Sequence, residues 1–205
     1  MAAPRHIAPP DPAGARLGPF WLSPGVTRAN AVTLLFGALS TLSLVTFVTA
    51  AQPYIFEILG IPQAEQGSLA GLLVSLQEGT QVLIAGLIGA LSDRTGRRVV
   101  YVGGLVFTAL SFVIYPLAGS EVELILYRIV YAVGMTAATV MMSTCFAEYT
   151  QDTSRGRWMG LVGVINGLGV VLMATVLARM PLWLGNLGYD SVSAIRYTFW
   201  IFAGL

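Results

Sequence analysis

Long apolar runs broken by short polar segments set the pattern of the chain. Residues 29–56 contain no charge, and their 28 positions exceed the roughly 20 that a helix needs to cross about 30 Å of hydrocarbon. A second run, 68–91, carries a single charge, Glu78; a third, 99–120, carries none; a fourth, 124–147, is interrupted only by Arg128; a fifth, 158–178, is again uncharged. Each is long enough to cross. Residues 197–205 have the same composition, but nine residues at about 1.5 Å each reach less than half the hydrocarbon thickness. The pattern predicts an all-α, polytopic transmembrane helical bundle over 28–205. It has five full spans and an incomplete sixth, inside which the chain stops.

The flanking segments are polar and breaker-rich. Residues 1–27 hold Pro9, Pro10, Pro12, Pro19 and Pro24 and no apolar run of signal-peptide length. They are expected to form a disordered cytosolic arm rather than a cleaved leader, with the first span as the uncleaved insertion signal. Of the connections, only 180–196, with Pro181, Gly185, Asn186 and Gly188, is long enough to fold over the helix ends.

Composition supports lipid as the solvent: 10% of residues are charged, against about 25% in soluble domains. All the basic residues are arginines. Placing the N-terminus in the cytoplasm puts Arg5, Arg16, Arg28, Arg94, Arg97, Arg98, Arg155 and Arg157 inside and only Arg179 and Arg196 outside. The other outer loops then carry acid alone, Glu57 and Glu65 in one and Glu121 and Glu123 in the next, as the positive-inside rule allows. The expected location is the cytoplasmic (inner) membrane. A net charge of +1 gives no field to gather nucleic acid. One cysteine and one histidine exclude an internal disulfide, a metal cluster and an ordinary Ser/His/Asp triad, so no enzyme, metal or cofactor is expected.

The most specific string is GALSDRTGRR, residues 89–98, where the second span ends. Gly89 admits a close helix approach, Asp93 sits at the helix end, Gly96 permits a sharp reversal, and Arg94, Arg97 and Arg98 stay in the headgroup layer. An acid at a helix C-terminus opposes the helix dipole, so Asp93 needs compensation from Arg97, Arg98 or a neighbouring helix N-terminus.

This string resembles the signature of the major facilitator superfamily of transporters, with every position of the pattern filled. The resemblance extends over 29–205 and implies the N-terminal six-helix half of a secondary transporter. The first, second, fourth and fifth helices would then face the cavity or a partner bundle, and the third and sixth lipid. LYRIVYAVGMTAA resembles the family's fourth-helix motif through Arg128 and Gly134, with Ala132 replacing one glycine; in the family that arginine is associated with proton or substrate coupling. From physics alone, an arginine inside a span either faces a wet cavity or a partner, or snorkels to the headgroups.

Other candidates follow from placement. Glu78 lies near the middle of its span, where a bare carboxylate is costly. It is either a proton carrier that exchanges when a cavity opens to water or a protonated group bonded to a neighbouring helix as glue. Ser75, Glu78 and Gln81 repeat every three positions, giving that helix a polar face. In the fifth span Gly163 and Gly167 are spaced for close helix packing around Asn166. Here Leu168 replaces the proline found in the drug and proton antiporter branch. By resemblance Glu148 pairs with an arginine of the 89–98 turn as a latch, with Arg155 nearby; otherwise these are solvated loop charges. Thr41, Thr49, Gln52, Gln81 and Asn166 are expected to line the substrate cavity. Together the resemblance and the residues imply alternating-access transport of a small solute, with the bilayer, the solute and a C-terminal six-helix half as partners. The alternative is a non-transporting or self-assembling half-size scaffold or sensor.

Overall fold

The computed structural model describes residues 11–204. Five helices or helix runs in it are long and apolar enough to cross a membrane: α1 (Arg28–Ile58), α2 (Gln63–Thr95), α3 (Arg97–Ile114, extended by a 3-10 turn Tyr115–Leu117), α4 (Glu121–Glu148), and α5 (Arg155–Thr175), which runs through a second 3-10 turn into α6 (Met180–Asn186). A last helix, α7 (Ser191–Ala203), follows. The helices start where side chains satisfy their free amides. Thr27, Ser120 and Asp190 each accept from the amide three residues on, and Glu123 reaches back to the amide of Gly119.

Two expectations about the polar segments change. The last helix begins at Ser191, not near Tyr197, because Arg196 does not bound it: its guanidinium turns back to the Pro116 carbonyl at 3.5 Å, so the charge is carried within the helix. The segment 180–196 is accordingly mostly helix rather than loop. The N-terminal arm is not disordered throughout. Residues 1–10 lie outside the described residues, but β1 (Arg16–Leu17) and β2 (Phe20–Trp21) form a hairpin that docks on the α4–α5 connection. Composition missed this because the hairpin is held by contacts distant in sequence: Phe20 meets the edge of Trp158 at 5.5 Å, and Leu22 and Trp158 are wholly buried.

α4 is the hub, packed on α3, α2 and α1; α1 also packs on α5 and α7, and α3 on α7. Lipid tails are as apolar as these side chains, so close packing rather than water exclusion holds the helices together. The closest approach is between α3 and α4. A Cβ on Gly104 would lie 2.7 Å from the Ala138 nitrogen, and one on Gly134 2.7 Å from the Thr108 nitrogen. An aromatic cluster of Phe47, Phe112, Phe199 and Phe202 joins α1, α3 and α7, with Phe47 and Phe199 centroids 4.8 Å apart. By contrast α2 and α5 are mostly uncovered: 11% and 17% of their apolar windows are buried, against 56% for α4. Each leaves one broad face for lipid or another bundle.

Candidate functional site

At the arginine-rich end, Gly96 has φ +91, a left-handed conformation that lets the chain reverse between α2 and α3 without strain. The reversal brings Arg97, at the start of α3, against Glu148, at the end of α4, and the two form an ion pair. Arg155 is engaged elsewhere, with Asp152 at 3.1 Å and the Ala147 carbonyl at 3.1 Å. Asp93 and Arg94 are exposed, and among the described residues Asp93 has no ion pair. Neither Arg97 nor Arg98 forms an ion pair with Asp93, and the α3 N-terminus begins four residues on. A Cβ on Gly89 would meet open space, so among the described residues no helix makes the close approach expected there.

Arg98, Arg97 and Glu148 stand at a cavity of about 820 Å³ between α1 and α3, which also takes in Thr41, Tyr101, Cys145 and the end of α7. Tyr149 lies beside them, and burial, reinforced by Cys145 and opposed by Arg98, pushes its hydroxyl above its ordinary pKa.

Nearer the other end, Arg128 is 1% exposed and does not snorkel. Its guanidinium donates to the Tyr115 hydroxyl at 3.4 Å and lies 5.5 Å from the Tyr131 ring centroid and 6.0 Å from that of Tyr115. No acid among the described residues pairs with it. Its Nε, the Tyr131 hydroxyl and the Gln52 Nε2 are all buried without a hydrogen-bond partner. The Gln52 amide adjoins the Tyr115 hydroxyl, so α1, α3 and α4 each contribute to one polar cluster. The faces of two rings attract the cation, and its unpaired Nε leaves it suited to an incoming anion or carboxylate. Tyr131 was detectable in the sequence, three positions from Arg128 on one helix face; Tyr115 was not, because the turn between α3 and α4 hides its spacing.

The remaining candidates are scattered. Glu78 is exposed on the open face of α2 with Ser75, and Gln81 is half-buried; their neighbour Gln77 instead turns inward, buried with its Oε1 unpaired. Thr41 is buried facing the Tyr101 side of the bundle, Thr49 is exposed, and Asn166 sits on α5 with an unpaired Oδ1. Of these, Thr41 lines the cavity at the arginine-rich end, and Thr49, Gln81 and Asn166 do not. Gly163 and Gly167 are exposed with open space beyond them, whereas Gly169 makes the close contact on α5: Ser43 of α1 donates to its carbonyl at 3.2 Å.

Comparison with known proteins agrees with this architecture. The chain is 27% identical over 180 residues to multidrug resistance protein MdtH of Aeromonas salmonicida, covering 88% of this chain and 44% of that protein. It is 33% identical over 112 residues to the class G tetracycline resistance protein of Vibrio anguillarum, covering 54% and 28%. It is 30% identical over 190 residues to the uncharacterised MFS-type transporter Rv1877 of Mycobacterium tuberculosis, covering 93% and 26%. The chain thus spans less than half the length of these relatives. The family profile described as Major Facilitator Superfamily matches residues 33–205, and the chain belongs to that family.

Proposed function

We propose that the chain is the N-terminal helical half of a secondary active transporter, in which two bundles rock about a midplane site to move a small solute by alternating access. The observation that carries this reading is Arg128: a cation buried within a span with no acidic partner among the described residues is costly and marks a solute or ion pathway. The open faces of α2 and α5 are where a second six-helix half would pack, supplied by the same polypeptide or by a second copy. Glu78, in the middle of the open α2 face, is placed to carry a proton when that face meets a wet cavity. The protein sits in the cytoplasmic membrane with its N-terminus inside, which puts Gly96, Arg97 and Glu148 on the cytosolic side as a gate and latch.

Two relatives are named for multidrug and tetracycline resistance, and tetracycline is therefore the probe of choice. In proteoliposomes that hold the chain together with its second six-helix half, preloaded with unlabelled tetracycline, labelled tetracycline should enter by counterflow. Absence of counterflow, with the helices intact by circular dichroism, would favour a non-transporting scaffold.

A further inference from the structure

The N-terminal hairpin is a folded element that the transporter reading does not use. A pair of two-residue strands is marginal by itself, so its order comes from what it grips. Gln151 binds it on three sides: its Oε1 accepts from the Asp11 amide at 2.8 Å, and its Nε2 donates to the carbonyls of Asp11 at 3.1 Å and Leu22 at 2.8 Å. Ser154 accepts from the Trp21 amide at 3.0 Å and lies 3.1 Å from its carbonyl, and the Gln151 amide donates to that carbonyl at 3.0 Å. The grip ends at Ser23, beside the last turn of α4.

A helix leaves its final carbonyls without intrahelical donors, and at α4 each is answered. Cys145 accepts from the Tyr149 amide, Phe146 from the Thr150 hydroxyl at 3.2 Å, and Ala147 from Arg155. The two last belong to the hairpin segment: the Ser23 hydroxyl donates to the Glu148 carbonyl at 2.5 Å, and the Ser23 amide to the Tyr149 carbonyl at 3.0 Å. Glu148 is therefore held by its backbone from Ser23 while its carboxylate holds Arg97.

We propose that residues 14–23 form a clip that caps α4 and fixes Glu148 against Arg97, making Ser23 a positioning residue for that ion pair. Its consequence for transport rests on the gate reading above; the positioning itself does not. Because the clip is short and lies at the end of the bundle, its release is a local event that leaves the spans in place.

Cys145, the single cysteine, reports on this directly: it is half-buried, precedes Glu148 by one turn and lines the same cavity as Arg97 and Glu148. The 205-residue chain in nanodiscs is treated with a water-soluble maleimide, and the rate of Cys145 labelling is followed. Ser23→Ala, which keeps the amide hydrogen bond to the Tyr149 carbonyl, should label about fivefold faster, the factor associated with one neutral hydrogen bond. Ser23→Thr should restore the original rate, and Gln151→Ala, which loosens the clip elsewhere, should match Ser23→Ala. In a Glu148→Gln background Ser23→Ala should add nothing, since its effect runs through the pair. Unchanged labelling in Ser23→Ala and Gln151→Ala, or an equal acceleration in the Glu148→Gln background, would overturn the clip as a positioning element. If the labelling pattern holds while tetracycline counterflow by Ser23→Ala is normal, positioning stands and the gate reading of the pair fails.

Discussion

Arg97 and Glu148 join the first residue of α3 to the last residue of α4, closing the arginine-rich end of the bundle with an ion pair. Both side chains are partly exposed, 36% and 48%, so the pair contributes at most about 1 kcal/mol to stability. Its value lies in where it holds the two helices. Arg97→Gln should leave the thermal midpoint of the detergent-solubilised chain nearly unchanged while slowing tetracycline counterflow. A large loss of stability would make the pair a structural tie instead.

Asp93 has no ion partner among the described residues, so its carboxylate is free to meet a group outside them. Asp93→Asn should impair counterflow while membrane insertion and helix content stay intact. Normal counterflow by this variant would remove Asp93 from the gate.

The glycines separate by what a side chain would meet. Gly104→Val or Gly134→Val forces atoms into backbone 2.7 Å away and should destabilise the bundle by about 1–3 kcal/mol or more. Gly163→Ala and Gly167→Ala meet open space within the chain and should be neutral in thermal unfolding. Insensitivity at Gly104 and Gly134 would mean that the α3–α4 crossing is looser than described.

Asp190 begins α7, and its bonds to the side chain and amide of Ser193 hold its carboxyl below the ordinary value of 3.8. The sign follows: a lowered folded pKa means the capping contribution is complete above the unfolded value and fades as pH falls through the folded one. Exchange protection of the Ser193 and Ala194 amides should therefore drop in acid below 3.8. Asp190→Asn, which keeps a capping oxygen, should show no such drop.

How much of this was legible in sequence depends on how local each cause is. The spans were, because hydropathy needs only composition along one helix; their ends shifted where caps such as Ser120 and Asp190, rather than charges, decide. Arg196 misled because a charge normally ends a span, and only its reach to Pro116 shows otherwise. The hairpin was invisible for the opposite reason. Gly18, Pro19 and Ser23 look like loop residues until Trp158 and Gln151, over a hundred positions away, are brought to them. Among the candidate residues, Arg128 stood out because charge in a span is rare, whereas the scatter of Thr41, Thr49 and Asn166 over different faces required the helix packing itself.

Arg128 decides the central question, whether a buried, unneutralised cation is kept for transport or for the fold. Arg128→Met replaces the charge with an apolar side chain of similar length, which removes the cost of burying an unpaired charge. Tetracycline accumulation driven by an imposed pH gradient is measured in proteoliposomes of both proteins, each together with the second six-helix half, alongside their thermal midpoints in detergent. The expected result is a variant that unfolds no earlier than the parent chain and accumulates nothing. Accumulation equal to that of the parent chain, or a collapse of stability that accounts for its loss, would contradict the assignment.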